Sequence, residues 1–411
     1  MKIAIITSGC LPGLDGVTIV VRERCRRLSA WGHQVLLIGP DYQPVAKYFP
    51  DWQKYVGEIE PGVVCVSVPC GAFFGVEWER NPYPSSHPAL ERHLDAFRPD
   101  VIHVDEPERL AFGYLRRPGL SYARRHGIPA LAFYHTNFID YAPDFLGILP
   151  HPVVRAVQHA AKPALSWVYN AYAATFVSSA VTADRLARQG FRNLVAGVFN
   201  GVDTRAFAPR ERDPGFFANT YGLRNVDDRV KLLFVGRLTP DKGWAFTNRV
   251  IPALANAVGC ERLAVIIAGG GELEDQIRAE LGAHLDSVHL LGRVAPGNMA
   301  ALYGHSDVHV SSSRKETLGL TAIEAFASGI PVVAPRAGGF LDTVRHGENG
   351  FLFQPEDIQD FIRLMQPLIE SADLRRRIGA RAVEGVLGFD WDRTIGNWFR
   401  ELDACVAKAA R

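Results

Sequence analysis

Ser311-Ser-Ser-Arg-Lys-Glu316-Thr-Leu-Gly319-Leu-Thr-Ala-Ile-Glu324 is the stretch from which this chain is read. The apolar run Asp307-Val-His-Val310 before it predicts a short buried strand, and Thr321 to Ser328 after it favours helix, with Gly329 and Pro331 as stop signals. Gly319 therefore stands where strand gives way to helix. The first amides of a helix have no intrahelical partner, and the helix dipole favours an anion there. Glu316 lies in the loop and Glu324 inside the helix. Two carboxylates around a phosphate-seeking turn suit a ligand that also carries hydroxyls, Glu316 taking a sugar and Glu324 a ribose. Taken alone, the pair is more simply a loop glutamate and a helix glutamate facing water.

The same strand–turn–helix grammar runs outward in both directions. Val230–Val235 reads as a buried strand and is followed by Gly236-Arg237-Leu-Thr-Pro-Asp-Lys242-Gly243, a turn offering a guanidinium fork and a point charge to a diphosphate. Leu263–Ala268 runs into Gly269-Gly270-Gly271, and Val288–Gly292 and Pro331–Ala334 supply further strands, the last before Ala337-Gly338-Gly339. In the first half, Lys2–Thr7, His33–Ile38, Val63–Val68, Val101–Val104, Ala130–Tyr134, Thr175–Ser179 and Val195–Asn200 read as strands. Gly13 and Gly16 open the first helix, where backbone can approach a ligand closely. Asp105-Glu-Pro-Glu108 and His135-Thr-Asn137 stand at carboxyl ends of strands, the ligand-binding edge of an open α/β sheet. A lone histidine such as His135 is more often structural, but its position argues for function.

Totals set limits. The 411 residues make room for two domains, and 47% apolar with 22% charged residues is ordinary globular composition. A formal net charge of +1 argues against nucleic acid as a partner. The six cysteines show no C-x-x-C pair and no zinc spacing, so reduced thiols in a cytoplasmic protein are expected, with no metal site. The N-terminus lacks the shape of a signal peptide, and no apolar run is long enough for a membrane span.

Four motifs in order from Gly236 to Gly339 resemble those of glycosyltransferase family 4, and the likeness extends along essentially the whole chain. That resemblance implies retaining enzymes of the α/β GT-B fold, two Rossmann-like domains facing each other across a cleft. Residues 1–205 would be the acceptor domain, 206–229 a linker, 230–388 the nucleotide-sugar domain, and 389–411 a helix crossing back. It further implies that His135, Glu316, Arg237 and Lys242 serve catalysis. The donor, a nucleotide-diphosphate sugar of the UDP-hexose kind, would be held by Gly16, Arg237, Lys242, Gly270, Glu316, Thr317, Leu318, Gly319, Leu320 and Glu324. No other cofactor is expected, because Arg237, Lys242 and the amides near Gly319 would carry the diphosphate charge. The leaving phosphate would take the acceptor's proton on the retained face, with Glu316 orienting the sugar. Thr317 and Leu318 replace the family's usual Gly-Phe, which alters the expected shape of the sugar pocket.

The acceptor is read from shorter patches. Asp105 to Leu110 and Tyr134 to Tyr141 resemble digalactosyldiacylglycerol and, more loosely, sulfoquinovosyldiacylglycerol synthases, with Asp105, Glu106, Asn137 and Tyr141 as acceptor contacts. Phe73-Phe74, Trp78, Phe145–Leu149 and the arginines from Arg116 to Arg125 offer a surface for peripheral contact with an anionic membrane. The helical pattern from Pro152 onward, interrupted by Pro163, reads first as a core helix and second as an apolar lip for a lipid. A soluble glycoside acceptor, and a sugar-nucleotide-binding protein without catalysis, are the alternatives.

Overall fold

The computed structural model describes residues 1–13, 15–73, 75–137 and 150–409, with the side chain of His151 excepted. The chain forms two compact units, one of Met1–Asn200 with Trp391–Arg411 and one of Gly201–Asp390.

Among the described residues, the first unit is built on ten strands: β1 Lys2–Ile6, β2 Gln34–Pro40, β3 Gly57–Glu60, β4 Val63–Val68, β5 Cys70–Phe73, β6 Val76–Pro82, β7 Val101–Asp105, β8 Ala130–Tyr134, β9 Ala174–Val177 and β10 Leu194–Ala196. Eight of them make one sheet in the order β10-β9-β8-β7-β1-β2-β4-β3, parallel except for β3 against β4, while β5 and β6 pair as a separate antiparallel ribbon. Alternate residues of one strand enter different layers. Ala4 and Ile6 pack with Leu36 and Ile38 on one face, Ile3 and Ile5 with Val35 and Leu37 on the other. Both faces are covered, which is why these strands read as unbroken apolar runs. The helix Trp391–Ala409 belongs here: Trp391, Ile395, Trp398 and Leu402 form one stripe at helical spacing and are buried in the Ile3–Ile5 layer.

The second unit holds six strands, β11 Val230–Val235, β12 Leu263–Ala268, β13 Val288–Gly292, β14 Val308–Val310, β15 Val332–Pro335 and β16 Gly350–Phe353. All are parallel, in the order β13-β12-β11-β14-β15-β16. Counted within the unit this is 3-2-1-4-5-6, the Rossmann arrangement. Again the layers alternate, with Val265 and Ile267 on one face and Ala264 and Ile266 on the other.

Three expectations change. Residues 206–229 are not a free linker: a helix Phe216–Tyr221 forms, and Phe217 and Val226 are buried in the core of the second unit with Val202. The segment's polar majority conceals these anchors. The strand expected over Val195–Asn200 stops at Ala196, after which the Gly197 amide donates to the Val177 carbonyl and the chain turns. The helix expected in the core spans His151–Tyr169 with Pro163 inside it, but only Val154, Leu165, Val168 and Tyr169 are buried, and Val153 and Val157 are exposed.

Candidate active site

In an open parallel sheet, the loops leaving the two strands on either side of the point where chain order reverses diverge and open a crevice. In the second unit that point lies between β11 and β14, so the loops Gly236–Gly243 and Ser311–Gly319 flank it. Glycine lets them approach. Gly243 has φ +78°, and a Cβ there would sit 2.2 Å from the Ser312 carbonyl oxygen. Gly339 would likewise collide with Thr317, and its amide donates to the Glu316 carbonyl at 2.7 Å. Of the three glycines after β12, Gly269 and Gly271 are the constrained pair, with Cβ positions 1.8 Å from the Gly236 oxygen and 2.4 Å from the Leu238 oxygen. Gly270 has room for a side chain and instead accepts from the Leu238 amide at 3.1 Å. The run of three glycines signals this packing, though not which members enforce it.

This closeness brings Lys242 and Glu316 together. Lys242 Nζ donates to Glu316 Oε1 at 2.6 Å, with both side chains 22% exposed. Burial would raise the Glu316 carboxyl, but Lys242 holds it below its ordinary value. Arg237 reaches outward, its side chain 54% exposed and 3.3 Å from Asp241. The Trp244 indole N–H fixes the Arg237 carbonyl at 3.1 Å. Gly319, at φ +82°, caps the helix Leu320–Ala327, which has no side-chain cap, so its first amides are offered to a ligand. Leu318 is buried in the core and contributes backbone only, whereas Thr317 and Leu320 are partly exposed. His309, not anticipated as part of the site, is buried between the Leu233 carbonyl at 3.0 Å and Thr321 Oγ1 at 3.2 Å, and burial lowers its pKa to about 4.

Glu324 stands on the same helix beside the Tyr303 hydroxyl, and burial pushes its carboxyl up to about 7. A carboxylate that accepts from ribose hydroxyls, the role the sequence leads one to expect for Glu324, binds best when ionised. Donor affinity should therefore be highest above about pH 7 and weaken toward pH 6 by roughly tenfold per unit. Glu324→Gln should flatten that slope; KM for the donor measured from pH 6 to 8.5 checks it.

In the first unit the order reverses between β1 and β7. Gly16 is the exposed first residue of the helix Gly16–Ala30, and Asp15 caps it by accepting from the Thr18 amide at 2.7 Å. Asp105, at the end of β7, is fully buried, which removes it from acceptor contact. Its Oδ1 lies 2.9 Å from Arg24 Nη1, 3.2 Å from His103 Nε2 and 2.6 Å from His135 Nε2. Burial would raise Asp105, yet the Arg24 guanidinium beside it holds it well below the carboxylate range. Burial lowers His103 to about 4, so it is neutral, and its Nε2 accepts from Arg24, which can only donate. An ionised Asp105 can only accept, so His135 donates from Nε2 and keeps Nδ1 for a ligand. The Arg24 guanidinium is held 4.5 Å above the Phe133 ring and 4.8 Å above Trp398. Asp105 thus positions His135.

Glu106 sits at φ +49°, a left-handed conformation that costs a non-glycine residue about 1–3 kcal/mol. Ser8 and Thr136 each donate to one of its carboxylate oxygens. Asn137 is buried against Arg185. Tyr141 lies outside the described residues. Arg24, His103, Ser8 and Thr136 escaped the sequence reading because each gains its meaning from a partner distant in the chain.

Two Rossmann-like units, each with loops at the reversal point of its sheet, are the architecture of the GT-B fold. The pattern described as "Glycosyltransferase Family 4" matches residues 14–206, and that of "Glycosyl transferases group 1" matches 222–384. The chain belongs to glycosyltransferase family 4 and is an enzyme that transfers a sugar. It is 29% identical over 418 residues, spanning 100% of both chains, to a GDP-mannose-dependent alpha-mannosyltransferase of Mycolicibacterium smegmatis. It is also 29% identical to the sulfoquinovosyl transferase SQD2 of Arabidopsis thaliana, over 74% of this chain and 56% of that one. Among solved structures, sucrose-phosphate synthase from Thermosynechococcus elongatus shares the fold at a TM-score of 0.76 and 21% identity, over 98% of this chain and 99% of that one.

Proposed function

We propose that this enzyme transfers a hexose, with retention of configuration, from a nucleoside-diphosphate sugar to a hydroxyl of a lipid-borne acceptor such as a diacylglycerol glycoside. The observation that carries the donor half is the convergence of Arg237, the Lys242–Glu316 pair and the open N-terminus at Gly319 on one sheet edge. Breaking the sugar–phosphate bond puts negative charge on the diphosphate, and Arg237, Lys242 and the first amides of Leu320–Ala327 are fixed charges and dipoles where it develops. The leaving phosphate takes the acceptor's proton on the retained face. Glu316 holds the sugar's hydroxyls and Glu324 the ribose, while in the first unit His135 Nδ1 is kept for a ligand.

The relative that spans the whole chain makes GDP-mannose the first donor to test; UDP-hexoses, read from the sequence, come second. The exposed flank of His151–Tyr169 supports a lipid-borne acceptor. Among the described residues no helix is long and apolar enough to cross a membrane, so contact would be peripheral. Phe74 and Phe145–Leu149, read as parts of the lipid entrance, lie outside the described residues. The test is a screen of GDP-mannose, UDP-glucose and UDP-galactose against diacylglycerol-type and soluble acceptors, with proton NMR of the anomeric product. One donor should give an α-linked glycolipid; inverted product, or transfer to soluble acceptors only, would refute retention or the lipid acceptor respectively.

A further inference from the structure

The helix His151–Tyr169 carries two apolar stripes. Leu165, Val168 and Tyr169 pack into the core, and Val154 is buried. A second stripe at helical spacing, Val153, Ala156, Val157, Ala160, Ala164 and Trp167, is exposed, with Trp167 at 63%. No Asp or Glu occurs in the helix, whereas Arg155, His159 and Lys162 do. At 1.5 Å per residue, its 19 residues make a face about 28 Å long.

The far end of that face opens into a hollow of about 450 Å³ lined by Arg117, Arg124, Trp167, Asn170 and Arg192 among others, with no carboxylate among the described lining residues. The Arg117 guanidinium stacks 4.0 Å over Trp167. Asn170 braces the floor, donating to the Gly190 carbonyl and accepting from the Arg192 amide, each at 2.8 Å. These residues belong to segments that lead into the amino ends of β8, β9 and β10. The hollow is therefore on the opposite sheet edge from His135 and is distinct from the candidate active site. Convergent guanidinium groups with no counter-charge in the lining call for an anion, and a tryptophan beside exposed valines is the composition of a bilayer interface.

We propose that the outer face of His151–Tyr169 lies on an anionic bilayer and that the hollow at Arg117, Arg124 and Arg192 seats the phosphate of a lipid headgroup. The inference rests on the lipid-acceptor reading above and gives it a location. A face this long runs from the loop edge of the sheet to the hollow, so the first unit would lie on its flank against the membrane.

The experiment is co-sedimentation of the full chain with phosphatidylcholine vesicles with and without phosphatidylglycerol, alongside donor hydrolysis in the absence of vesicles. Wild type should bind only the anionic vesicles. Arg117→Ala with Arg124→Ala should weaken binding by about 30-fold, near fivefold per arginine, and Val157→Glu should do so by at least 10-fold. All of these positions are surface sites, so donor hydrolysis and the circular dichroism spectrum should not change. Equal binding by wild type and variants, or no preference for anionic vesicles, overturns the proposal. Binding of free inorganic phosphate at the hollow, without vesicle binding, overturns the bilayer assignment. If wild type also lacks donor hydrolysis, it is the transferase chemistry that fails.

Discussion

Lys242→Ala lowers kcat by about 10²–10³-fold, by analogy with loss of one oxyanion donor, and lowers it more than Arg237→Ala. Arg237 is the more exposed and 3.3 Å from Asp241, so water covers part of its loss. Lys242 has two tasks. In the proposed mechanism it supplies positive charge at the diphosphate, and it holds the Glu316 carboxyl below its ordinary value where burial alone would raise it. Truncation removes the first and releases the second, so the sugar loses its ionised acceptor too. Glu316→Gln combined with Lys242→Ala should therefore cost less than the sum of the single changes, the signature of residues acting as a unit. Steady-state kinetics on the four members of this cycle, with folding checked by circular dichroism, measures the coupling. Full turnover in Lys242→Ala would remove the loop Gly236–Gly243 from the mechanism.

Asp105→Asn is expected to destabilise the protein by about 3–5 kcal/mol, because Arg24 is left as a buried charge without a counter-ion. Activity should fall with it, including donor hydrolysis by the remaining folded enzyme, since His135 loses the carboxylate that fixes its tautomer. An acceptor-binding aspartate would behave otherwise, raising the acceptor KM and sparing stability. The pH dependence has a definite sign. The folded pKa of Asp105 is depressed, so its stabilisation is complete above the unfolded value near 4 and is lost as pH falls through the lower folded value. Asp105→Asn should therefore lose the most, relative to wild type, at neutral pH, and the gap should close only in strong acid. Urea unfolding at pH 7 and at about pH 2 tests this.

The strands most legible in the sequence were β8, β11 and β12, buried along nearly their whole length, because a parallel strand between two helical layers has no polar side to break the apolar run. β4 and β13 also coincide with apolar runs although they are only partly buried. The ribbon β5–β6 was missed because Val76–Pro82 reads Val-Glu-Trp-Glu-Arg-Asn-Pro and is half exposed. The segment 206–229 looked like a linker because Phe217 and Val226 are isolated among polar neighbours, although each is buried. At the candidate site, backbone features were readable from glycine positions, since a left-handed φ or a 2.2 Å approach leaves few alternatives to glycine. Side-chain partnerships were not. Lys242 with Glu316 spans 74 residues, Arg24 with Asp105 spans 81, and no local pattern announces either pair.

The most direct measurement of the donor site is calorimetric titration of the intact chain with GDP and with UDP, in wild type, Glu324→Ala and Glu316→Gln. Sugar-free nucleotide engages the ribose and diphosphate positions and leaves the hexose position empty. One of the two nucleotides should bind wild type, Glu324→Ala should weaken it by at least about 10-fold, the worth of one lost charged hydrogen bond, and Glu316→Gln should leave it nearly intact. No binding of either nucleotide to wild type, or equal losses in the two variants, would contradict the assignment of this sheet edge to the nucleotide sugar.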